Sequence, residues 1–279
     1  MQISIVSGKG GAGKTTLATH FFMAVPESAL LDCDVEEPNA SLFLNLGNTR
    51  DEEFETRYPV VDDEACTHCG ACAAFCAFNA LLVSPAAAIP LPERCHDCGG
   101  CALVCPENAI HYESRSIGRI RRGHAGDGRV AWGELNVGEL SGVRMIRRLR
   151  QSASDDGVTW IDGPPGTGCA AVAAVEDADF AVLVGEPTPF GVSDMAMAAD
   201  MIRDLGLPFG VVVNKAGIGN DEIYRYCRNE GLTILGEIPF DRGLAEAGAI
   251  GRLGWGHAGC TERFTDLARR IVAAAEAAE

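Results

Sequence analysis

The sequence predicts an α/β protein with a doubly wound, mostly parallel sheet that is interrupted by a cysteine-rich insert. Short apolar runs alternate with helical patterns over most of the 279 residues, as expected for strands covered by helices on both faces. A glycine-rich loop follows the first run, and eight of the twelve cysteines lie between residues 66 and 105. We therefore expect residues 1–57 and 114–279 to form the two parts of one domain and residues 58–113 to form a second domain.

Six near-continuous apolar runs are the predicted strands of this sheet. They span residues 2–8, 28–34, 157–163, 179–185, 209–215 and 232–238. Helices are expected at 14–25, 193–205 and 221–230, with an arginine-rich helix at about 138–151 and a packed end helix at 261–275. A Gly-Asp-Gly turn within residues 117–134 predicts a hairpin.

Net charge and hydropathy argue against two classes of partner. The formal net charge is −16, whereas a protein that binds nucleic acid needs a basic face. No apolar stretch reaches the ~18 residues of a membrane-spanning helix, and the first residues lack the basic region of a secretory signal. We therefore expect a cytoplasmic protein without nucleic-acid or membrane partners, whose clustered cysteines bind metal rather than form disulfides.

The glycine-rich loop at residues 8–15 matches G-x-x-x-x-G-K-[ST] between a predicted strand and a predicted helix. This motif predicts a phosphate-binding loop (P-loop) in which Lys14 reaches the β- and γ-phosphate oxygens of a nucleotide and the Thr15 hydroxyl binds Mg²⁺. An ordinary glycine-rich turn is the alternative, and the flanking strand and helix argue against it. The predicted ATP-binding residues of the loop are Gly8, Lys9, Gly10, Gly11, Ala12, Gly13, Lys14, Thr15 and Thr16.

The insert contains one cysteine run twice. Each run reads C-x2-C-x2-C-x3-C, and every cysteine of the first run recurs 29 positions later. This is the pattern of bacterial ferredoxins with two [4Fe–4S] clusters, in which the fourth cysteine of each run ligates the other cluster. A zinc ribbon is the alternative, but it uses two C-x2-C pairs rather than two runs of four. The predicted ligand sets are Cys66, Cys69, Cys72 and Cys105 for one cluster, and Cys95, Cys98, Cys101 and Cys76 for the other.

The P-loop contains a second lysine, and its sequence KGGAGKTT resembles the deviant P-loop of the MinD/ParA superfamily. That superfamily includes the nitrogenase Fe protein and the Mrp-type cluster carriers. The resemblance implies a face-to-face dimer in which Lys9 contacts the phosphates bound by the other subunit. A solvated loop lysine is the alternative.

Two acidic segments extend the resemblance. Residues 32–39 are similar to the family's switch I, which implies that Asp34 orients the attacking water and that Asp32 lies nearer the metal. Residues 160–168 are similar to the Mrp-type Walker B and switch II segment, which implies that Asp162 holds Mg²⁺ through water. A purely structural aspartate at a strand end is the alternative for Asp162. With Lys9 and Lys14, the resemblance makes Asp34 a catalytic residue.

Two positions near the end of the chain match the base-binding part of the family. The resemblance implies that Asn214, in VVVNKAG, hydrogen-bonds adenine and that Pro239, in IPFD, lies near the purine. A guanine-type N-K-x-D motif does not fit, because no aspartate follows Lys215 at the required position.

The whole chain resembles MinD-superfamily ATPases with an inserted ferredoxin domain, a group that includes the orange-protein complex ATPases. This resemblance implies a slow, partner-stimulated ATPase with ATP or ADP, Mg²⁺ and two [4Fe–4S] clusters as cofactors. It also implies a homodimer or a heterodimer with a related ATPase, and a redox or metal-cluster partner protein. The expected function is to couple the nucleotide-driven switch to electron transfer or to cluster assembly on that partner.

Two other functions compete with this one. A ParA-like positioning ATPase could use the clusters as a redox sensor, but neither a membrane helix nor a basic DNA-binding face is evident. A plain electron-transfer module could carry a vestigial ATPase site, but the acidic and basic residues of that site are all present. They are Lys9, Lys14, Thr15, Asp34 and Asp162.

Two features have open interpretations. Cys169 lies at the offset from Asp162 that a cluster ligand has in the nitrogenase Fe protein, or it is a small residue at a helix start packed against the sheet. The arginine-rich helix at 138–151 is either a docking face for an acidic partner or a solvated face paired with acidic residues.

Overall fold

The chain, seen in a computed structural model that describes residues 1–153, 157–255 and 259–278, divides into two compact units. The first unit contains Met1–Asp51, Ile120–Glu134 and Gly142–Glu279, and the second contains Glu52–Arg119 and Leu135–Ser141. The predicted insert, residues 58–113, lies within the second unit.

The described residues form a nine-stranded sheet and a separate two-stranded hairpin. The strands are β1 (Gln2–Val6), β2 (Ala29–Asp32), β3 (Gly47–Val61), β4 (Leu81–Ser84), β5 (Ala87–Pro90), β6 (Ile110–Ala125), β7 (Gly128–Leu135), β8 (Thr159–Asp162), β9 (Phe180–Gly185), β10 (Phe209–Ala216) and β11 (Ile234–Pro239). The large sheet has the order β11-β10-β9-β1-β8-β2-β7-β6-β3, and β4 pairs with β5 in antiparallel fashion.

The helices are α1 (Lys14–Ala24), α2 (Ala71–Phe75), α3 (Gly100–Leu103), α4 (Val143–Arg150), α5 (Cys169–Val175), α6 (Pro189–Asp204), α7 (Glu222–Asn229), α8 (Arg242–Ala249) and α9 (Cys260–Glu276). Short 3₁₀ turns occur at Ala40–Phe43 and Pro92–Arg94. No helix among the described residues is long and apolar enough to cross a membrane.

The predicted doubly wound sheet is confirmed. Six strands pair in parallel, from β11 through β10, β9, β1 and β8 to β2, and β7 continues the parallel pairing. One apolar cluster packs Leu17 of α1 and Phe264 of α9 against the sheet, and the other packs Met195 of α6 and Ile223 of α7. Because each cluster includes strand residues, the central strands are apolar on both faces, as their sequences indicate.

Strand β3 was not predicted, and its composition explains why. It reads GNTRDEEFETRYPVV, and most of its side chains are exposed or half-buried, so it lacks the apolar run of a buried strand. The predicted hairpin is confirmed as the neighbouring strands β6 and β7. Its turn passes through Gly126, whose φ of 58° favours glycine.

Three surface predictions have definite outcomes. The end helix α9 is packed, since Phe264, Leu267 and Ile271 are buried. On α4, Arg147 pairs with Glu176 at 2.5 Å, which favours the acid-paired interpretation for this arginine. Cys169 begins α5 as expected, but it is exposed, so the packed-residue interpretation is wrong.

Candidate functional site

Three strands of the first unit bring the P-loop and two aspartates to one edge of the sheet. The P-loop follows β1, while Asp32 and Asp162 are the last residues of β2 and β8. The two aspartates are register partners in the β2–β8 pair. Ligands of open α/β sheets bind at this carboxyl edge, so the geometry creates a candidate nucleotide site.

The P-loop leads directly into the N-terminus of α1. Gly11 and Gly13 have φ values of 76° and 98°, a region that favours glycine. No side chain caps α1, and its first turn contains no acidic residue. The free N–H groups and the helix dipole therefore suit an anion such as a phosphate.

Lys14 is buried at the centre of this site. Its Nζ donates to Ser7 Oγ at 3.1 Å, and the Ser7 hydroxyl donates to the Lys9 carbonyl at 2.6 Å. Burial lowers the pKa of the ammonium, and the nearby carboxylates of Asp162 and Asp34 oppose that change. Lys14 thus lies near carboxylates, and its hydrogen bond to Ser7 fixes the position of its ammonium group.

The carboxylate of Asp162 is buried and lacks hydrogen bonds. It is 1% exposed, and neither carboxylate oxygen has a hydrogen-bond partner. Burial and the charge of Asp32 raise its pKa, while the neighbouring Thr15 hydroxyl and Lys14 act in the opposite direction. A buried carboxylate without partners is costly, so a cation beside Thr15 and Asp162 would stabilise the charged form.

Asp32 organises the segment that follows β2. Its carboxylate accepts hydrogen bonds from the backbone N–H groups of Asp34, Asn39 and Ala40 at 3.1, 2.9 and 2.9 Å. Burial raises the pKa of Asp32 to about 7, although these three donors lower it. Asp34 is only half-buried, which leaves its carboxylate accessible at the edge of the site.

The segment after β8 makes backbone hydrogen bonds to β1 and to the residue just before the P-loop. The Gly163 N–H donates to the Ile5 carbonyl at 3.0 Å, and the Gly166 N–H donates to the Ser7 carbonyl at 3.1 Å. Gly166 has a φ of 87°, so this contact uses a conformation that glycine adopts readily. These two bonds connect the residues that follow Asp162 to the strand end from which the P-loop begins.

Asn214 and Lys215, at the end of β10, both bind the P-loop backbone. Asn214 Nδ2 donates to the Ala12 carbonyl at 2.7 Å, and Lys215 Nζ donates to the Gly11 carbonyl at 2.9 Å. A Cβ at Gly13 would lie 2.1 Å from Asn214 Nδ2, and the φ of 98° at this position also favours glycine. Pro239 is exposed and lies opposite Ala216 in the β10–β11 pair, next to the same strand end.

Glu186 was missed by the sequence analysis. It follows β9 and is 7% exposed, and its two carboxylate oxygens pair with Lys9, at 2.9 Å, and with Lys215. Burial opposes its ionisation, but the two lysines dominate and lower the pKa. An acidic residue directly after a predicted parallel strand was the available signal, because that position lies at the carboxyl edge.

Two pockets in the second unit are lined by the two predicted ligand sets. One contains Cys66, Cys69, Cys72 and Cys105, and the other contains Cys76, Cys95, Cys98 and Cys101. The fourth cysteine of each run lies in the pocket of the other run, as the ferredoxin pattern requires. Within the described ranges, no three His, Cys, Asp or Glu side chains are arranged to hold a single metal ion.

Backbone N–H groups point at the cysteine sulfurs in both halves of this unit. His68 N and Asp97 N donate to Cys66 and Cys95 Sγ at 3.4 and 3.3 Å. Ala80 N and Ala109 N donate to Cys76 and Cys105 Sγ, both at 3.3 Å. Donors aimed at sulfur stabilise thiolates, so these residues fit an iron–sulfur cluster.

Comparison with known proteins identifies a nucleotide-binding family and several relatives. Residues 3–253 match the CobQ/CobB/MinD/ParA nucleotide binding domain. The uncharacterized protein MJ0578 of Methanocaldococcus jannaschii is 37% identical over 86% of this chain and 85% of its own length. An iron-sulfur cluster carrier protein of Pyrococcus furiosus is 24% identical over 97% of this chain and 85% of its own length.

Solved structures share the fold at lower sequence identity. The cell division ATPase MinD of Pyrococcus furiosus has a TM-score of 0.61 and 20% identity, with 98% of each chain covered. The septum site-determining protein MinD of Pyrococcus horikoshii, complexed with Mg-ADP, has a TM-score of 0.61 and 19% identity, covering 100% of this chain and 98% of its own.

Proposed function

The chain belongs to the CobQ/CobB/MinD/ParA family of nucleotide-binding domains, and from this premise we propose that it is an ATPase that couples its nucleotide state to two [4Fe–4S] clusters. The observation that carries the proposal is the pair of cysteine pockets, each lined by one complete ligand set. Bound clusters would supply one-electron chemistry, and the output would be electron transfer or cluster assembly on a partner protein.

The nucleotide half of the proposal assigns roles at the carboxyl edge of the sheet. Lys14 binds the β- and γ-phosphates, and the Thr15 hydroxyl with Asp162 holds Mg²⁺. The orphaned oxygens of Asp162 support this role, and Mg-ADP is bound by the MinD of P. horikoshii, which shares the fold. The half-buried Asp34 has the access that a water-orienting residue needs.

The dimer is the second element of the proposal. Lys9 crosses to the nucleotide of a second subunit, either another copy of this chain or a related ATPase. Its side chain is 32% exposed, whereas Lys14 is buried, so the two lysines of the loop are suited to different tasks. Asn214 and Pro239 form the base-binding end of the site.

The cluster half is supported by the backbone donors to four cysteine sulfurs and by the cluster-carrier relatives. In the sequence, the cysteine-rich segment leaves the ATPase domain after Asp34 and rejoins it before Asp162. A switch that changes when the γ-phosphate is lost can bias a segment joined to both of its elements. Ordinary coupling of about 1–3 kcal/mol is enough.

The test is to purify the protein anaerobically, measure iron and sulfide, and titrate the clusters by EPR with no nucleotide, with ADP and with a non-hydrolysable ATP analogue. We expect about eight irons per chain. A coupling of about 1–3 kcal/mol corresponds to a shift of roughly 40–130 mV between nucleotide states. Stoichiometric zinc without iron would overturn the cluster assignment. Equal potentials in all three states would overturn the coupling and favour a positioning ATPase or a vestigial nucleotide site.

A further inference from the structure

The two halves of the cysteine-rich unit correspond position by position. An offset of 29 residues relates not only the cysteines but also the apolar residues that line the two pockets, Ala80 with Ala109 and Leu81 with Ile110. Corresponding backbone hydrogen bonds, Leu91 N to Ala80 O and Asp62 N to Ala109 O, are both 2.8 Å long. Because the two halves are otherwise alike, a polar residue that contacts a cysteine in one half only would make the two pockets chemically different.

Tyr112 is such a residue. Its hydroxyl oxygen lies 3.0 Å from Cys101 Sγ. A sulfur that ligates iron carries no proton, so the hydroxyl must then donate this hydrogen bond. The corresponding residue of the first half is Val83, which lines the other pocket and has no donor to offer.

Arg57 packs on the ring of Tyr112 and is itself fixed by Asp97, and neither charged residue has a counterpart in the first half. The Arg57 guanidinium carbon lies 5.4 Å from the centroid of the Tyr112 ring, a cation–π distance. Arg57 Nε and N both donate to the Asp97 carboxylate, at 3.1 and 3.0 Å. By the same offset, Ala86 and His68 occupy the corresponding positions. The phenol is therefore fixed against Cys101 by contacts that the first half cannot form.

We propose that the Tyr112 hydroxyl donates to the Cys101 thiolate and thereby gives the cluster of Cys76, Cys95, Cys98 and Cys101 a higher reduction potential than its neighbour. Hydrogen bonds to the sulfurs withdraw negative charge and favour the reduced state, which has one more electron. The inference rests on the proposed function, because it requires both clusters. Tyr112 acts as a tuning residue that decides on which of the two clusters a single electron resides.

The experiment is an anaerobic redox titration of the full chain, monitored by EPR, for the wild type and for Tyr112→Phe. We expect two separate midpoints in the wild type. Phenylalanine keeps the ring beneath Arg57 but removes the hydroxyl, so we expect the higher midpoint to fall and the lower one to stay. The expected fall is a tenfold change in the ratio of reduced to oxidised cluster, which is ~59 mV for one electron.

A matched control is Tyr58→Phe, in the same unit. The Tyr58 hydroxyl donates to the Glu113 carboxylate at 2.8 Å, at an exposed site, so both midpoints should stay unchanged. Exchange into D₂O gives a second readout, since deuterium coupling to the reduced cluster should weaken in Tyr112→Phe but not in the control. If Tyr112→Phe has its full iron content and unchanged midpoints, or if both midpoints fall equally, the tuning role is wrong. A wild type without two clusters would instead overturn the proposed function.

Discussion

The carboxylate of Glu186 ties Lys9 to its own subunit, with 2.9 Å between Oε2 and Lys9 Nζ. The other oxygen pairs with Lys215, whose Nζ also donates to the Gly11 carbonyl at 2.9 Å. The lysine that we propose to act across a dimer is therefore held beside its own P-loop, and reaching a second subunit requires this ion pair to break.

Glu186→Gln should lower the ATP concentration needed for dimerisation. Glutamine keeps the size of the side chain but removes the charge that retains Lys9. Because Lys9 is partly exposed, the ion pair contributes only about 1 kcal/mol, which corresponds to about a fivefold shift. Light scattering against ATP concentration measures the effect.

The matched control for this change is the double variant Lys9→Ala with Glu186→Gln. Without Lys9 there is nothing to release, so the second substitution should add no gain in dimerisation. Lys9→Ala alone should still bind ATP, whereas Lys14→Ala should not. Normal ATP hydrolysis by Lys9→Ala would refute the action of Lys9 across the dimer.

Asn214→Asp should weaken nucleotide binding more than Asn214→Ala. The Asn214 amide donates to the Ala12 carbonyl at 2.7 Å, and a carboxylate at that place cannot donate and repels the oxygen. Losing a buried hydrogen bond costs about 1–3 kcal/mol, so we expect roughly 5- to 150-fold weaker binding of an ATP analogue for the aspartate variant. Calorimetric titration compares the two variants, and equal affinities would mean that the amide does not hold the loop.

Cysteine substitutions can show whether the fourth cysteine of each run ligates the cluster of the other run. Cys105→Ala and Cys66→Ala should each impair the same cluster, so combining them should leave the other cluster intact. Cys105→Ala combined with Cys95→Ala should impair both clusters. Iron analysis and EPR of the four proteins provide the comparison. The reverse pattern would assign each fourth cysteine to its own run.

Stability of the nucleotide-free protein should decrease as the pH rises from about 4 to 7. Burial raises the pKa of Asp32 to about 7, so in this range the folded protein keeps a proton that the unfolded chain releases. Folding then loses about 1.4 kcal/mol per pH unit from this group, and the loss is complete above pH 7. Urea unfolding at pH 5, 6 and 7 measures the slope.

Asp32→Asn should make that slope shallower, while Asp127→Asn, at an exposed turn, should leave it unchanged. Asp162 is expected to add a decrease of the same sign, because burial raises its pKa as well. Mg²⁺ with ATP should offset the decrease, since the cation favours the ionised carboxylates. Identical slopes for Asp32→Asn and the wild type would contradict the assignment.

Much of the architecture was predictable because its signals are local. The strands that carry the site are buried on both faces and read as apolar runs, and the P-loop is one continuous motif. The spacing of the cysteine runs also indicated which four cysteines line each pocket, because the fourth cysteine of a run with this pattern belongs with the other run.

The contacts of Glu186 and Asn214 were not predictable in the same way. Each contact depends on the order of the strands in the sheet. Strands β9 and β10 lie on the same side of β1, and this order brings Glu186 and Asn214 to the P-loop that follows β1. Strand β3 was missed because an exposed, charged strand has no apolar periodicity to detect. The contact between the Tyr112 hydroxyl and Cys101 Sγ is not encoded in any sequence motif, and only the structure shows it.

The chain has three lysines, Lys9, Lys14 and Lys215, and all three have their Nζ bound at the P-loop or at Glu186 beside it. Apart from the terminal amine, every primary amine of the protein therefore belongs to the nucleotide site. The lysines that an amine-directed label or a short bifunctional cross-linker modifies therefore report on that site. Labelling rates for each lysine, measured by mass spectrometry with and without ATP, would report the state of the loop in the wild-type chain, with no substitution.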